Sequence, residues 1–199
     1  MHPITVILLN KTNNLDNALA SIIDVNPQQI ILGTFSPINI NYKQVAVINL
    51  KTNTNYSEAL NKLESMAQTD WILYLKDTES ILQFNEHLPN LLLKPEEIYG
   101  FQILQDDVII KEPRMWNKKG KKLSFKNPVF EKLNANPTQI VNVMLYQNQT
   151  NDADLGQRLE IWKKSMPLSV DVCYYKAFNE LAKKNFIEFK RMIAHYLFN

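Results

Sequence analysis

The feature that most constrains this chain is the stretch from Ile4 to Leu9, which reads as a continuous apolar run. A strand with one wet face alternates apolar and polar residues. A strand that is apolar along its whole length must be covered on both faces, as in a parallel sheet flanked by helices. The segments after it fit that demand. Asn13 or Asn14 is placed to cap a helix whose Leu15, Leu19, Ile22 and Ile23 fall on one face, and Asn26-Pro27 stops it. Gln29 to Leu32 is a second short strand, Gly33 to Pro37 a loop, and Val45 to Leu50 a third strand. Asn55 with Glu58 forms a capping-box pattern ahead of a helix with Leu60, Leu63, Met66 and Ala67 inward. Trp71 to Leu75 is the fourth strand. Strands alternating with helices predict a mainly parallel α/β sheet with helices on both faces. Such sheets bind ligands outside the carboxyl ends of their strands. The loops beginning at Asn10, Gly33, Leu50 and Lys76 are therefore the candidates.

After residue 80 the pattern changes. Leu88 to Leu93 reads as a helix or covering segment. Tyr99 to Leu104 and Val108 to Lys111 read as a hairpin about Gln105-Asp106-Asp107. Arg114 to Trp116 and Leu123 to Phe125 flank the turn Asn117-Lys118-Lys119-Gly120 and read as a second hairpin. Gln139 to Tyr146 is a further strand. From Asp152 the pattern is helical, with Pro167 ending one helix and Asp171 capping the next. This divides the chain into a domain at 1–166 and a helical hairpin at 167–199.

Composition excludes several classes. The 199 residues carry a net charge of +2 and no long basic stripe, which argues against nucleic acid. With 45% apolar and 21% charged residues the chain is an ordinary globular one. The one cysteine, Cys173, excludes a disulfide framework and any cysteine-based zinc site. No apolar stretch reaches the roughly 18 residues needed to span a bilayer, and no leader pattern precedes the first strand, so the expected location is cytoplasmic. Only four glycines are present, and no Gly-rich phosphate loop is among them.

The ordered motifs resemble a known family. Ile4-Thr5-Val6-Ile7-Leu8-Leu9-Asn10 followed by Ala18-Leu19-Ala20-Ser21-Ile22, then Thr69-Asp70-Trp71-Ile72-Leu73-Tyr74-Leu75-Lys76-Asp77-Thr78-Glu79, then Arg114-Met115-Trp116-Asn117 and Val129-Phe130-Glu131, are similar to the family 2 glycosyltransferases of GT-A fold. The likeness is to the bacterial branch with tetratricopeptide-like helices after the catalytic domain, which Tyr174 to Phe198 resemble. The resemblance implies a nucleotide-sugar donor (a UDP-sugar first), a glycan or protein acceptor, and a divalent cation such as Mn or Mg on an Asp-x-Asp pair. Here the two positions of that pair carry Lys76 and Thr78, the family's histidines fall on Phe130 and on Leu145 or Tyr146, and the strand-end Asp is lost in Gly33-Thr34-Phe35-Ser36.

Three readings of that strand end stay open. Asp77 and Glu79 are themselves an i, i+2 carboxylate pair and the candidate metal ligands, provided a bulge re-aims them. Lys76 is a candidate metal-free clamp for the diphosphate. The plainest alternative has Lys76 reaching to solvent while Asp77 and Glu79 cap the next turn. Asn10 matches the family's nucleotide-contacting Asn, and Asn also suits a turn there. Arg114 is expected to meet a phosphate, Glu112 or Glu131. Glu131 is the retained carboxylate and, with Asp77, the candidate catalytic residue, although a lone Glu is commonly on the surface. Asp152 and Asp154 most simply start a helix. Lys118, Lys119, Lys121 and Lys122 read as a solvated hairpin tip that could also hold an anionic acceptor or headgroups. His2, His87 and His195 have no ligand spacing. The expected function is transfer of a sugar to a glycan or protein acceptor. The alternative is a degenerate GT-A module that binds sugar, nucleotide or protein, with self-association or a partner engaged through the C-terminal helices, since a single repeat pair leaves one face uncovered.

Overall fold

A computed structural model describes residues 1–147, apart from 13, 14, 41, 83, 85, 106, 107 and 127–130. The cap expected at Asn13 or Asn14, the family position at Phe130, Cys173, His195, Asp152, Asp154, the C-terminal hairpin and the domain boundary all lie outside the described residues.

The first half follows the strand-helix alternation. Strand β1 (His2–Asn10) leads through α1 (Asp16–Val25) to β2 (Pro27–Thr34) and β3 (Val45–Asn49). Helix α2 (Tyr56–Ser65) returns the chain to β4 (Trp71–Lys76). The runs 4–9 of β1 and 71–75 of β4 are apolar because both faces are covered, save for Thr5, whose buried hydroxyl is bonded to Gln29 and Thr69. Ile4, Val6 and Leu8 pack with Leu19 and Ile22 of α1, while Ile7 and Leu9 pack with Leu60 and Leu63 of α2. The helix signals hold where they are described. Asn26 ends α1 in the left-handed region at φ 53°, and Asn55 Oδ1 accepts from the Glu58 N–H at 2.9 Å to open α2. Met66, expected inward, is 41% exposed at the end of α2, and Ile23 is only half-buried.

The second half departs from expectation. After β5 (Glu79–Leu82) and the single turn α3 (Leu88–Leu91) come β6 (Ile98–Gln105), β7 (Val108–Asn117) and β10 (Gln139–Gln147). The short pair β8 (Phe125–Lys126) and β9 (Lys132–Leu133) stands apart. The main sheet has eight strands in the order β3-β2-β1-β4-β7-β6-β10-β5. It is mixed rather than mainly parallel. Strands β3, β2, β1, β4 and the β6–β10 pair run parallel, while β7 is antiparallel to both β4 and β6, and β5 is antiparallel to β10. The cause is the β6–β7 hairpin, whose return arm inserts between β4 and β6 and turns the direction of the sheet.

That insertion also removes the second expected hairpin. Arg114 to Trp116 are the continuation of β7, with Met115 and Trp116 opposite Leu73 and Ile72 of β4. Phe125 pairs instead with Leu133. The Asn117–Gly120 turn does form. Asn117 Oδ1 accepts from the N–H groups of Lys119 and Gly120, at 2.9 and 3.2 Å. Gly120 is there for contact, since a Cβ would sit 2.2 Å from the Pro95 carbonyl oxygen, a backbone atom with little room to yield. Gly120→Ala is therefore expected to cost about 1–3 kcal/mol, read from urea unfolding midpoints. Gly33 falls inside β2 rather than in a loop, where its missing Cβ lets Leu50 and Leu63 pack close.

Candidate functional site

The order of the strands reverses between β1 and β4. From β1 the chain winds outward through β2 to β3, then crosses back to β4 on the other side. Such a switch point opens a crevice at the carboxyl ends of its two strands. Here those ends are Asn10 and Lys76, both marked out by the sequence. Asn10 is buried, opposite Thr34 of β2.

Asp77 crosses this crevice. Its Oδ2 accepts from the backbone N–H groups of Lys11 and Thr12, each at 2.6 Å, and from the Thr12 hydroxyl at 3.0 Å. The carboxylate thus ties the loop after β4 to the loop after β1. Burial pushes its carboxyl up, against the pull of those N–H donors and of the Lys11 charge. Glu79 faces other partners. It is fully buried, with Oε1 on Arg114 Nη2 at 2.7 Å and Oε2 accepting from the Lys76 N–H at 3.0 Å. Lys76 does not run free to solvent, because its Nζ lies 3.5 Å from Glu112 and 3.8 Å from Glu79. Arg114 also holds Glu112, at 2.8 Å. The guanidinium lies over the Tyr74 ring, 5.1 Å from its centroid, and the two carboxylates overcome desolvation to raise its pKa. The Arg114 side chain therefore meets Glu79 and Glu112, not Glu131.

Glu131 is the surprise. It is 7% exposed, inside the protein rather than on its surface. Its Oε1 accepts from both Lys11 Nζ and the Tyr74 hydroxyl. Burial alone would raise its carboxyl. The Lys11 charge, with the hydrogen bonds from Lys11 and Tyr74, outweighs burial and holds it below the ordinary value. A carboxylate depressed on folding stabilises the fold fully above its unfolded pKa and loses that contribution as pH falls through the folded one. The Glu131→Gln variant is thus expected to lose less stability than the parent on acidification below pH 4.5, the ordinary glutamate value. Urea midpoints across that range check it. Glu112, also depressed, and Asp77, raised, are common to both proteins and cancel in the comparison.

Beside Glu131 lies a cavity of about 300 Å³ between β7 and the separate β8–β9 pair, with Tyr74, Glu112, Arg114, Phe125 and Leu133 in its lining. Two buried atoms at these residues have no protein partner, Arg114 Nε and Glu131 Oε2. Both are unusual, because buried polar groups are nearly always paired.

The chain's own residues do not fit the divalent cation of a GT-A site. A hard cation needs carboxylate oxygens to spare. Asp77 Oδ2 is occupied by three donors and Glu79 by one on each oxygen, and the two carboxylates serve different elements. Among the described residues no group of three or more His, Cys, Asp or Glu is placed to hold a metal.

Glu112 was expected as a partner of Arg114 and is one, at 2.8 Å, whereas Lys11 and Tyr74 were not singled out from the sequence. Tyr74 carried a readable signal, since a tyrosine inside a doubly covered strand must find a partner for its hydroxyl. Lys11 carried none, because its role depends on Glu131, far along the chain.

No protein-family model and no curated protein matches this chain. Solved structures do. A structure of S. aureus TarS matches with a TM-score of 0.51 at 8% identity, over 82% of this chain and 39% of that one. S. aureus TarS 1-349 in complex with UDP-GlcNAc matches with a TM-score of 0.51 at 8% identity, over 80% of this chain and 64% of that one. TarS 1-349 alone matches with a TM-score of 0.51 at 11% identity, over 98% of this chain and 72% of that one. The first of these is thus more than twice the length that this chain spans. At such identity the likeness speaks to the fold alone, which is a GT-A-like α/β fold. Among the described residues no helix is long and apolar enough to cross a membrane.

Proposed function

We propose that the chain is a glycosyltransferase-like protein that moves a sugar from a nucleotide-sugar donor, a UDP-sugar first, to a glycan or protein acceptor. The observation that carries this is Glu131, a buried carboxylate lining a cavity on a GT-A-like sheet, held ionised by Lys11 and with Oε2 unpartnered. In the proposed step Glu131 takes the proton from an acceptor hydroxyl as that oxygen bonds the anomeric carbon. The bond from that carbon to the diphosphate breaks with inversion, and the nucleoside diphosphate leaves. Asn10 and Lys76 border the crevice on the donor side. Arg114 acts from its ion pairs, holding Tyr74 and Glu79 in place. Asp77 orders the loop carrying Lys11, and no step passes through a metal on Asp77 and Glu79.

A second reading, a binding module without transfer, is favoured by one specific observation. Three cations (Lys11, Lys76, Arg114) and three carboxylates (Glu79, Glu112, Glu131) already engage one another, and Asp77 is held by backbone N–H groups. A diphosphate would have to compete for Lys11 and Lys76. Release of UDP from UDP-GlcNAc and other UDP-sugars, with and without manganese, tests the two. Transfer predicts UDP release that manganese leaves unchanged within about twofold. Nucleotide-dependent thermal stabilisation with no release from any donor would leave the module reading.

A further inference from the structure

We propose that the cavity beside Glu131 takes one uncharged, hydroxyl-rich ring, a neutral monosaccharide unit, whose hydroxyls donate to Glu131 Oε2 and accept from Arg114 Nε. This rests on the reading of that cavity as the acceptor side of the site, and it names the class of acceptor.

The argument is one of matching. The two unpartnered buried atoms at the cavity are an acceptor on Glu131 and a donor on Arg114. A hydroxyl group is both donor and acceptor, so a polyol serves both atoms. An anionic ligand serves only the arginine N–H and meets the Glu112 and Glu131 carboxylates. The Arg114 charge that would welcome it is already divided between Glu79 and Glu112. A cationic ligand serves only Glu131 and meets Arg114. In the ion network Lys11, Lys76 and Arg114 are already matched by Glu131, Glu79 and Glu112, so no cation is left over for a further anion in a medium that screens charge poorly.

Size and surface agree. About 300 Å³ is at the lower end of small-molecule sites, suited to a single ring unit. Ile110, Phe125, Leu133 and Pro137 supply apolar lining for the C–H faces of a sugar. Both atoms are themselves buried, on side chains that line the cavity. The terminal torsion of a glutamate is soft, so a modest rotation brings a carboxylate oxygen to the ligand.

Saturation-transfer NMR on the full chain is the test, with neutral methyl hexosides and N-acetylglucosamine set against glucuronate, glucose 6-phosphate and glucosamine. The expected result is transfer to the neutral sugars, at least tenfold stronger than to the charged ones. It is lost in Glu131→Leu, which removes the accepting oxygen, and also in Asn136→Trp, which plugs the cavity from an exposed position outside the core. Equal or stronger binding of a charged sugar overturns the proposal. So does neutral-sugar binding that survives both variants, since it then lies elsewhere. If no neutral sugar binds while UDP-sugar turnover persists, this inference falls and the proposed function stands. If neither occurs, both fall.

Discussion

Replacing Glu131 with glutamine is expected to lower sugar transfer by about 10²–10⁴-fold, the usual contribution of a positioned general base. The substitution keeps volume and shape. It also keeps an oxygen to accept from Tyr74, so the fold is retained while the proton acceptor is lost. The effect belongs in kcat, because an amide can still accept a hydrogen bond from a bound hydroxyl but cannot take its proton. The depressed carboxyl has a second consequence. A base with a low pKa is always ionised near neutrality but is weak, so Lys11 holds Glu131 ready and restrains it at once. An anionic diphosphate that draws Lys11 away would strengthen the base when the donor is bound. Equal rates for the parent and Glu131→Gln, with UDP release intact, would remove Glu131 from the chemistry.

Replacing Arg114 with methionine is expected to cost about 3–5 kcal/mol of stability, because it strands a buried charge. Arg114 Nη2 holds Glu79 at 2.7 Å, and Glu79 is 0% exposed. Without the guanidinium that carboxylate keeps the Lys76 N–H and a lysine ammonium 3.8 Å away, and loses its strongest partner. The loss should show as a lower urea midpoint by tryptophan fluorescence. A double variant, Arg114→Met with Glu79→Gln, should recover part of it, because the stranded charge is then gone. A single variant within about 1 kcal/mol of the parent would mean that water or Lys76 already shields Glu79, and that the ion network is ornamental.

The reach of the sequence can be followed residue by residue. The apolar runs of β1 and β4 announced burial on both faces, and the structure covers both. Asn26-Pro27 and Asn55 marked helix ends because capping is local chemistry, completed within a few residues. Arg114 to Trp116 misled because a turn signal says where a chain reverses but not which strand it then joins. The same limit applies at Asp77. Its position at a strand end was legible, but its partners on Lys11 and Thr12 were not.

From the sequence alone came the strand-helix alternation, the strand ends that border the crevice, and the absence of a carboxylate from both Lys76 and Thr78. Each depends on the period of apolar residues or the identity of a single side chain. Tertiary structure alone decided that β7 enters the sheet between β4 and β6, that Asp77 binds a loop, and that Glu131 is buried against a lysine 120 residues away. The physical reason is that an ion pair or a strand pairing is a property of two segments together. Neither segment's own pattern records which partner the packed chain will bring to it.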